Sequence, residues 1–346
     1  MKVLSVVGAR PQFIKAAPVS KALRKENDEV LVHTGQHYDE EMSKVFFDVM
    51  NIPQPDHNLD VGSGSHAWQT ARMMEGIEKI IIETRPDWVL VYGDTNSTLA
   101  GALAAVKEHV PVAHVEAGLR SFDMSMPEEV NRRLTDHVSR LLFCPTQTAV
   151  DNLAREGIRE GVHLIGDVMY DAALEFSGIQ SDVLLRLGVK PKGYFLLTVH
   201  RPANTDNQKH LLSILKALEG YDVVFPVHPR TAKFLGEHGI GRPESIRMVK
   251  PVNYIESLCL IKNAKKVLTD SGGMQKEAYF FGTPCITLRE ETEWVETVDD
   301  GWNVLVGAHY DKIRDAVENF EPAGERPFSY GDGHAADKIV KVLERA

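Results

Sequence analysis

The chain has 346 residues, 43% hydrophobic and 25% charged, the profile of a soluble globular protein long enough for two ordinary domains. A formal net charge of −10 with no long basic run argues against non-specific nucleic-acid binding, so an anionic ligand must be met by cations concentrated locally. Cys144, Cys259 and Cys285 stand far apart without paired spacing, which predicts reduced thiols, buried as small hydrophobes, in a cytoplasmic protein. No segment approaches the about 18 uninterrupted apolar residues of a membrane span. The opening run 1–8 is too short for a secretory segment and reads as the first strand.

Short β-branched runs then alternate with amphipathic helical stretches. Strands are predicted at 3–7, 30–34, 88–92, 112–115, 141–145 and 163–165, and a second series at 194–199, 222–227, 246–249, 266–269 and 285–288. Continuous apolar strands separated by helices imply parallel sheets covered on both faces. The expected fold class is therefore α/β, with two doubly wound Rossmann-like domains facing each other across a cleft. The expected domains are 1–167 and 168–333, linked near residues 166–171. A polar loop over 324–333 precedes a final helix, and segment 334–346 is expected to rejoin the first domain.

Ligands of open parallel sheets sit beyond the carboxyl ends of the strands, so polar residues there carry the most information. The first strand runs into Gly8-Ala9-Arg10-Pro11-Gln12-Phe13-Ile14-Lys15, which lacks the dinucleotide fingerprint but places Arg10 and Lys15 at one rim. A solvated helix start is the alternative. A Gly62-x-Gly64-x-x-Ala67 match has no clear strand before it and reads as a loop. The third strand ends at Gly93-Asp94, where Thr95 and Ser97 are equally able to cap the next helix and leave Asp94 for chemistry. The fourth ends at Glu116, a costly residue there unless paired or functional, with Arg120 as the bland salt-bridge partner. Pro127-Glu128-Glu129 reads as a helix N-terminus, and with Asp94 and Glu116 it adds a third carboxylate. Clustered acids repel, so one can stay protonated while another is ionised, which suits proton removal on one side and delivery on the other.

In the second series, His200-Arg201 closes the first strand and forms a candidate anion site, and His228-Pro229-Arg230 repeats the pattern. Residues 266–269 lead into Asp270-Ser271-Gly272-Gly273-Met274-Gln275-Lys276-Glu277. Two glycines at a helix start let backbone N–H groups approach a ligand, a seat for a diphosphate, with Glu277 in reach of a ribose hydroxyl. The alternative is an ordinary strand-to-helix turn.

Together the stretches GARPQFIK (8–15), TGQHYD (34–39), YGDTNSTLAGALAA (92–105), HVEAGLRSFD (114–123), 126–133, FCPT (143–146), TVHRPAN (198–204), LTDSGGMQKEA (268–278) and REETEW (289–294) resemble the non-hydrolysing UDP-N-acetylglucosamine 2-epimerase family. The resemblance covers nearly the whole chain and implies the two-domain glycosyltransferase-B architecture, a homodimer and a UDP-sugar substrate. It makes Asp94, Glu116 and Glu128 the acid/base set at C2 of the sugar, with His200 beside them in the chemistry. Arg10, Lys15 and His200 would stabilise the diphosphate. Ser271, Gly272 and Gly273 would hold phosphate, Glu277 the ribose, and Arg201 and Arg289 would complete the substrate contacts. Gln36 and His228 match positions that touch a second, activating UDP-sugar in some bacterial members, although Trp68 departs from the basic residue those members carry. Ala203 replaces a carboxylate usual in the family. Thr292-Glu293-Trp294-Val295-Glu296 looks like the branch acting on 2,3-diacetamido-glucuronate nucleotides.

The chemistry follows from the substrate class. The C2 proton of a UDP-sugar is not adjacent to a carbonyl, and the chain shows no convincing nicotinamide fingerprint. The remaining route expels UDP from C1 while a carboxylate takes the C2 proton, giving a glycal that is reprotonated on its other face as UDP adds back. No metal and no organic cofactor are expected. The expected activity interconverts UDP-GlcNAc and UDP-ManNAc, with the diacetamido-glucuronate substrate as the alternative. A UDP-sugar glycosyltransferase, a hydrolysing relative and a non-catalytic sensor are the competing functions.

Overall fold

The computed structural model describes residues 1–35, 53–238, 241 and 243–346. The chain divides into two compact units, 1–174 together with 328–346, and 175–327. The first runs β1 (Lys2–Val7), α1 (Arg10–Leu23), β2 (Asp28–His33), β3 (His57–Asn58), α2 (His66–Thr84), β4 (Trp88–Tyr92), α3 (Asn96–Lys107), β5 (Val112–Val115), α4 (Pro127–Val138), β6 (Leu141–Cys144), α5 (Gln147–Arg155) and β7 (Val162–Leu164). Helix α6 (Val168–Ser177) contains the division. The second unit holds α7 (Val183–Leu187), β8 (Phe195–Thr198), α8 (Pro202–Thr205), α9 (Gln208–Ala217), β9 (Val223–Pro226), α10 (Pro229–Glu237), β10 (Ile246–Val249), α11 (Tyr254–Asn263), β11 (Val267–Thr269), α12 (Gly272–Phe280), β12 (Cys285–Thr287), α13 (Val295–Asp299), β13 (Asn303–Leu305) and α14 (Tyr310–Asn319). Helix α15 (Ala335–Leu343) belongs to the first unit and packs against α1.

Both sheets are parallel throughout, ordered β3-β2-β1-β4-β5-β6-β7 and β10-β9-β8-β11-β12-β13. Their central strands are buried on both faces, which is why they read as continuous apolar runs. Leu4, Val6, Val89 and Val91 pack with Ile77 and Ile80 of α2 and Ala100 of α3. Leu197, Phe225, Leu268 and Ile286 form the matching layer of the second unit with Leu211 and Ile214 of α9. Among the described residues, no helix is long and apolar enough to cross a membrane.

Three strands depart from expectation by more than a residue at one end, each for a physical reason. β2 begins earlier, at Asp28, because Glu29 is not a surface charge. Its buried carboxylate accepts from Ser5 Oγ at 2.6 Å, Arg24 Nε at 2.7 Å and Ser20 Oγ, and no linear pattern reveals such a cluster. β3 pairs only two residues at a sheet edge, His57 and Asn58, ahead of the glycine-containing stretch read as a loop. β13 adds a sixth strand to the second sheet, but its three residues include the polar Asn303.

At the start of α15, Asp171 Oδ1 and Oδ2 accept the Ala335 and Ala336 N–H groups at 3.1 and 2.8 Å. These are orphan donors of a helix N-terminus, satisfied from 164 residues away. Asp171→Ala is expected to lower unfolding free energy by about 1–2 kcal/mol. In denaturant titration with hydrogen exchange, amides of α15 should lose protection before the central strands; unchanged protection there would contradict the capping role.

Candidate active site

A doubly wound sheet reverses its strand order at one point, and the carboxyl ends there form the ligand crevice. In the first unit the reversal lies between β1 and β4, and in the second between β8 and β11. The residues following those four strands are the candidate segments: 8–15, 93–98, 199–204 and 270–277.

In the first unit Gln12 ties the crevice together. It is buried, its Oε1 accepts the Gly8 and Ala9 N–H groups at 2.8 and 3.0 Å, and its Nε2 donates to the Tyr92 carbonyl at 2.7 Å. One amide thus joins the ends of β1 and β4 to the start of α1. Arg10 opens that helix, and its side chain lies outside the described residues. Lys15, one turn on, forms an ion pair with Glu116 rather than facing solvent. Arg120, the expected partner of Glu116, instead bonds Asp136 and Glu156, at 2.7 and 2.8 Å. Glu116 sits just past β5 with φ at +72°, a conformation that costs of order 1–3 kcal/mol for a non-glycine residue and marks sites where geometry is imposed. Gly93 is required beside it. With φ at +65°, an added Cβ there would lie 3.2 Å from Lys15 Nζ and 3.3 Å from Glu116 Oε2.

Asp94 follows Gly93. Thr95, not Asp94, caps α3, accepting the Thr98 N–H at 3.4 Å. Asp94 Oδ2 instead receives Arg132 Nη2 at 2.6 Å, and its carbonyl receives Asn131 Nδ2 at 2.9 Å. Glu128 precedes Arg132 by four residues, so both lie on the same side of α4. Glu128 is half-buried and shows no ion pair among the described residues, whereas Glu129 is fully buried and structural. Glu129 accepts Ser121 N–H at 2.9 Å, Ser121 Oγ at 3.1 Å and Arg132 Nη1 at 3.0 Å. Burial opposes its charge, but these donors outweigh it and hold its carboxyl below the ordinary range. The structure therefore brings Asp94, Glu116 and Lys15 to neighbouring strand ends, with Glu128 on the adjoining helix.

In the second unit the organising residue is Asp270, fully buried after β11. It accepts the backbone N–H groups of His200 at 3.1 Å and Arg201 at 3.0 Å, and Asn204 Nδ2 at 3.1 Å. His200 Nδ1 lies 3.2 Å from Asp270 Oδ1, leaving Nε2 as the outward nitrogen. Burial pushes His200 toward its neutral form, Asp270 pulls the other way, and Arg201 and His228 add to the downward shift. A diphosphate arriving there would reverse that balance. His228 accepts the Arg230 N–H at 3.3 Å and caps α10, its ring 6.4 Å from that of His200. Gln36 lies outside the described residues.

Ser271 and Gly272 start α12, and Ser271 makes no side-chain cap, so the first amides of the helix are not closed off by it. A Cβ on Gly273 would meet nothing within 4 Å, which leaves that approach open. Beside Gly272 stands Glu293, which receives Arg289 Nη1 at 2.9 Å and lies 3.6 Å from Arg201 Nη2. The 289–294 segment is fastened to α12 by Thr292 Oγ1 donating to Gln275 Oε1 at 2.6 Å, and by Lys276 Nζ over the Trp294 ring at 3.8 Å. A cavity of about 180 Å³ opens next to His200, lined by Leu196, Thr198, Pro226, His228, Val252, Ser257 and Met274. Glu277 is buried in α12, and burial pushes its carboxyl up to about 7, against the opposing influence of Tyr254 and Lys276.

Residues 21–344 match the family model described as UDP-N-acetylglucosamine 2-epimerase. The chain belongs to that family. A UDP-N-acetylglucosamine 2-epimerase homolog of Methanococcus maripaludis is 52% identical, with 99% of each chain covered. The UDP-2,3-diacetamido-2,3-dideoxy-D-glucuronate 2-epimerase of Pseudomonas aeruginosa is 48% identical over 100% of both chains. The Methanocaldococcus jannaschii UDP-GlcNAc 2-epimerase crystallised with UDP-GlcNAc and UDP is 43% identical over 100% of both chains, with a TM-score of 0.87. The family resemblance read from the motifs is thereby shown, as is the α/β architecture.

Several site residues escape sequence reading: Gln12, Asn131, Arg132, Asp136 and Asn204 all hold others in place. Arg132 alone leaves a usable signal, four residues past Glu128 on one helix.

Glu277 provides a test of the second unit. Its raised carboxyl keeps its proton in the folded protein up to about pH 7, so folding stability falls as pH rises from the ordinary Glu range through that point. Glu277→Gln should therefore stabilise the fold by up to about 3 kcal/mol above pH 7 and little at pH 5. Urea unfolding at both pH values measures this; equal stability gains at the two pH values would contradict the burial argument.

Proposed function

We propose that this protein interconverts UDP-GlcNAc and UDP-ManNAc by eliminating UDP to 2-acetamidoglucal and adding it back. A carboxylate of the first unit takes the C2 proton, the C–H electron pair becomes the C1–C2 double bond, and the C1–O bond breaks with its pair leaving on the β-phosphate. Return of a proton to C2 from the opposite face, with readdition of a terminal β-phosphate oxygen at C1, gives the epimer. Asp94, Glu116 and Glu128 form the acid/base set, and Lys15 and Arg132 counter the charge of Glu116 and Asp94. His200, Arg10, Arg201 and Arg289 meet the diphosphate with the first amides of α12. His200 supplies charge as UDP departs. Glu277 takes the ribose, and the cavity beside His200 suits the base.

The observation that carries this reading is the cation-paired acids Asp94 and Glu116 at adjacent strand ends. They occur in a chain 43% identical, over its full length, to an epimerase crystallised with UDP-GlcNAc and UDP. A single-base transferase has no use for so many acids. A second reading, epimerisation of the UDP-linked 2,3-diacetamido-glucuronate, is favoured by the Pseudomonas aeruginosa relative and by Trp294 in the 292–296 segment. We also assign a cytoplasmic homodimer. Cys144, Cys259 and Cys285 are free thiols, and α2 exposes Trp68 and Ile82 as apolar contact positions.

Incubation with either nucleotide sugar in D2O, followed by NMR at C2, tests the reaction. Deuterium should enter C2 of the intact nucleotide sugar, and the preferred substrate separates the two readings. Asp94→Asn, Glu116→Gln and Glu128→Gln should each slow exchange by about 10²–10⁴-fold without loss of UDP binding. Transfer to an added acceptor without exchange would indicate a glycosyltransferase, and release of free sugar a hydrolase.

A further inference from the structure

His114 lies in the middle of the first sheet, on β5, with no exposed surface. Both ring nitrogens face acceptors: Nε2 is 2.7 Å from the Gly93 carbonyl oxygen and Nδ1 is 2.7 Å from Asp136 Oδ1. A carbonyl oxygen only accepts, so Nε2 carries a proton. The other oxygen of Asp136 already receives the Gly118 N–H at 3.1 Å and Arg120 Nη1 at 2.7 Å. Burial alone would favour a neutral Asp136. The hydrogen bond and charge of His114, joined by Arg120, outweigh it and hold the carboxyl below its ordinary range.

Arg120 also grips Glu156 through Nε and Nη2, both at 2.8 Å. Arg133 and His137 approach Glu156 from α4 at 4.0 Å, and burial, with the charge of Asp136 adding to it, pushes the Cys144 thiol at the end of β6 well up.

The cluster touches every segment that bears a proposed acid. Gly93 directly precedes Asp94. His114 and Gly118 flank Glu116, two residues to either side. Asp136 is on α4, two turns past Glu128. We infer that His114 is a positioning residue: its two ring nitrogens clamp the Asp94 turn to the helix that carries Glu128. Because it is fully enclosed, it meets no substrate. It acts by fixing where the carboxylates stand relative to one another, and charge-assisted hydrogen bonds make the clamp stiff.

This rests on the epimerase reading for its kinetics but not for its chemistry, and two measurements keep them apart. His114→Gln and Asp136→Asn are each expected to lower kcat for C2 exchange by about 100-fold, with the UDP dissociation constant unchanged. In 15N-histidine-labelled wild-type protein, Nε2 of His114 should bear a proton protected from solvent exchange. That resonance is located by the H114Q difference spectrum or, should the variant not fold, by Overhauser contacts to Gly93 and Asp136. An unprotonated or freely exchanging Nε2 on His114, or full kcat in a folded H114Q variant, would overturn the clamp. Failure of the wild type to exchange C2 would remove the epimerase reading and leave the spectrum to decide the clamp.

Discussion

A carboxylate at the buried end of a parallel strand persists only where a counter-charge is built in with it. Glu116 stands under that constraint, half-buried Asp94 beside it shares it in part, and the first unit is arranged around meeting it. Lys15 comes from α1 to Glu116, and Arg132 comes from α4 to Asp94. Gln12 fixes α1 to the strand ends so that Lys15 arrives, and Glu129 anchors the loop before α4 so that Arg132 does. The strained backbone of Glu116 and the glycine beside it belong to the same demand for a fixed position.

On the proposed function the second unit meets a complementary problem, since a diphosphate would have to be drawn to a protein of net charge −10. Its answer is local. Asp270 spends no charge on the ligand and instead organises the backbone of His200 and Arg201, while the open start of α12 offers amides and a helix dipole. The 289–294 segment supplies Arg289 and is strapped to α12 through Gln275 and Lys276. That contact explains why two motifs distant in sequence belong together.

Much of this was legible in the sequence because doubly wound sheets put function at strand ends. Gly93-Asp94, Glu116, His200-Arg201 and the 270–277 stretch all lie where apolar runs stop. What was not legible has a common cause: pairings made across the fold. Arg120 looks like the partner of Glu116 because it is four residues away, yet Lys15 reaches Glu116 across 101 residues and Arg120 turns to Asp136 and Glu156. Likewise Glu128 and Glu129 are indistinguishable in sequence, and only packing shows that one is enclosed and the other is not. The shortest strands, β3 and β13, carry too few residues for any periodicity.

Whether the anomeric C1–O bond breaks at all decides between elimination and every mechanism that leaves the nucleotide attached. Positional isotope exchange reads this with UDP-GlcNAc, or the diacetamido-glucuronate nucleotide, carrying 18O in the bridge between C1 and the β-phosphate. Elimination frees that phosphate to rotate, so the label should scramble into non-bridging positions as epimerisation proceeds. Epimer formed with all of its 18O still in the bridge would contradict the mechanism.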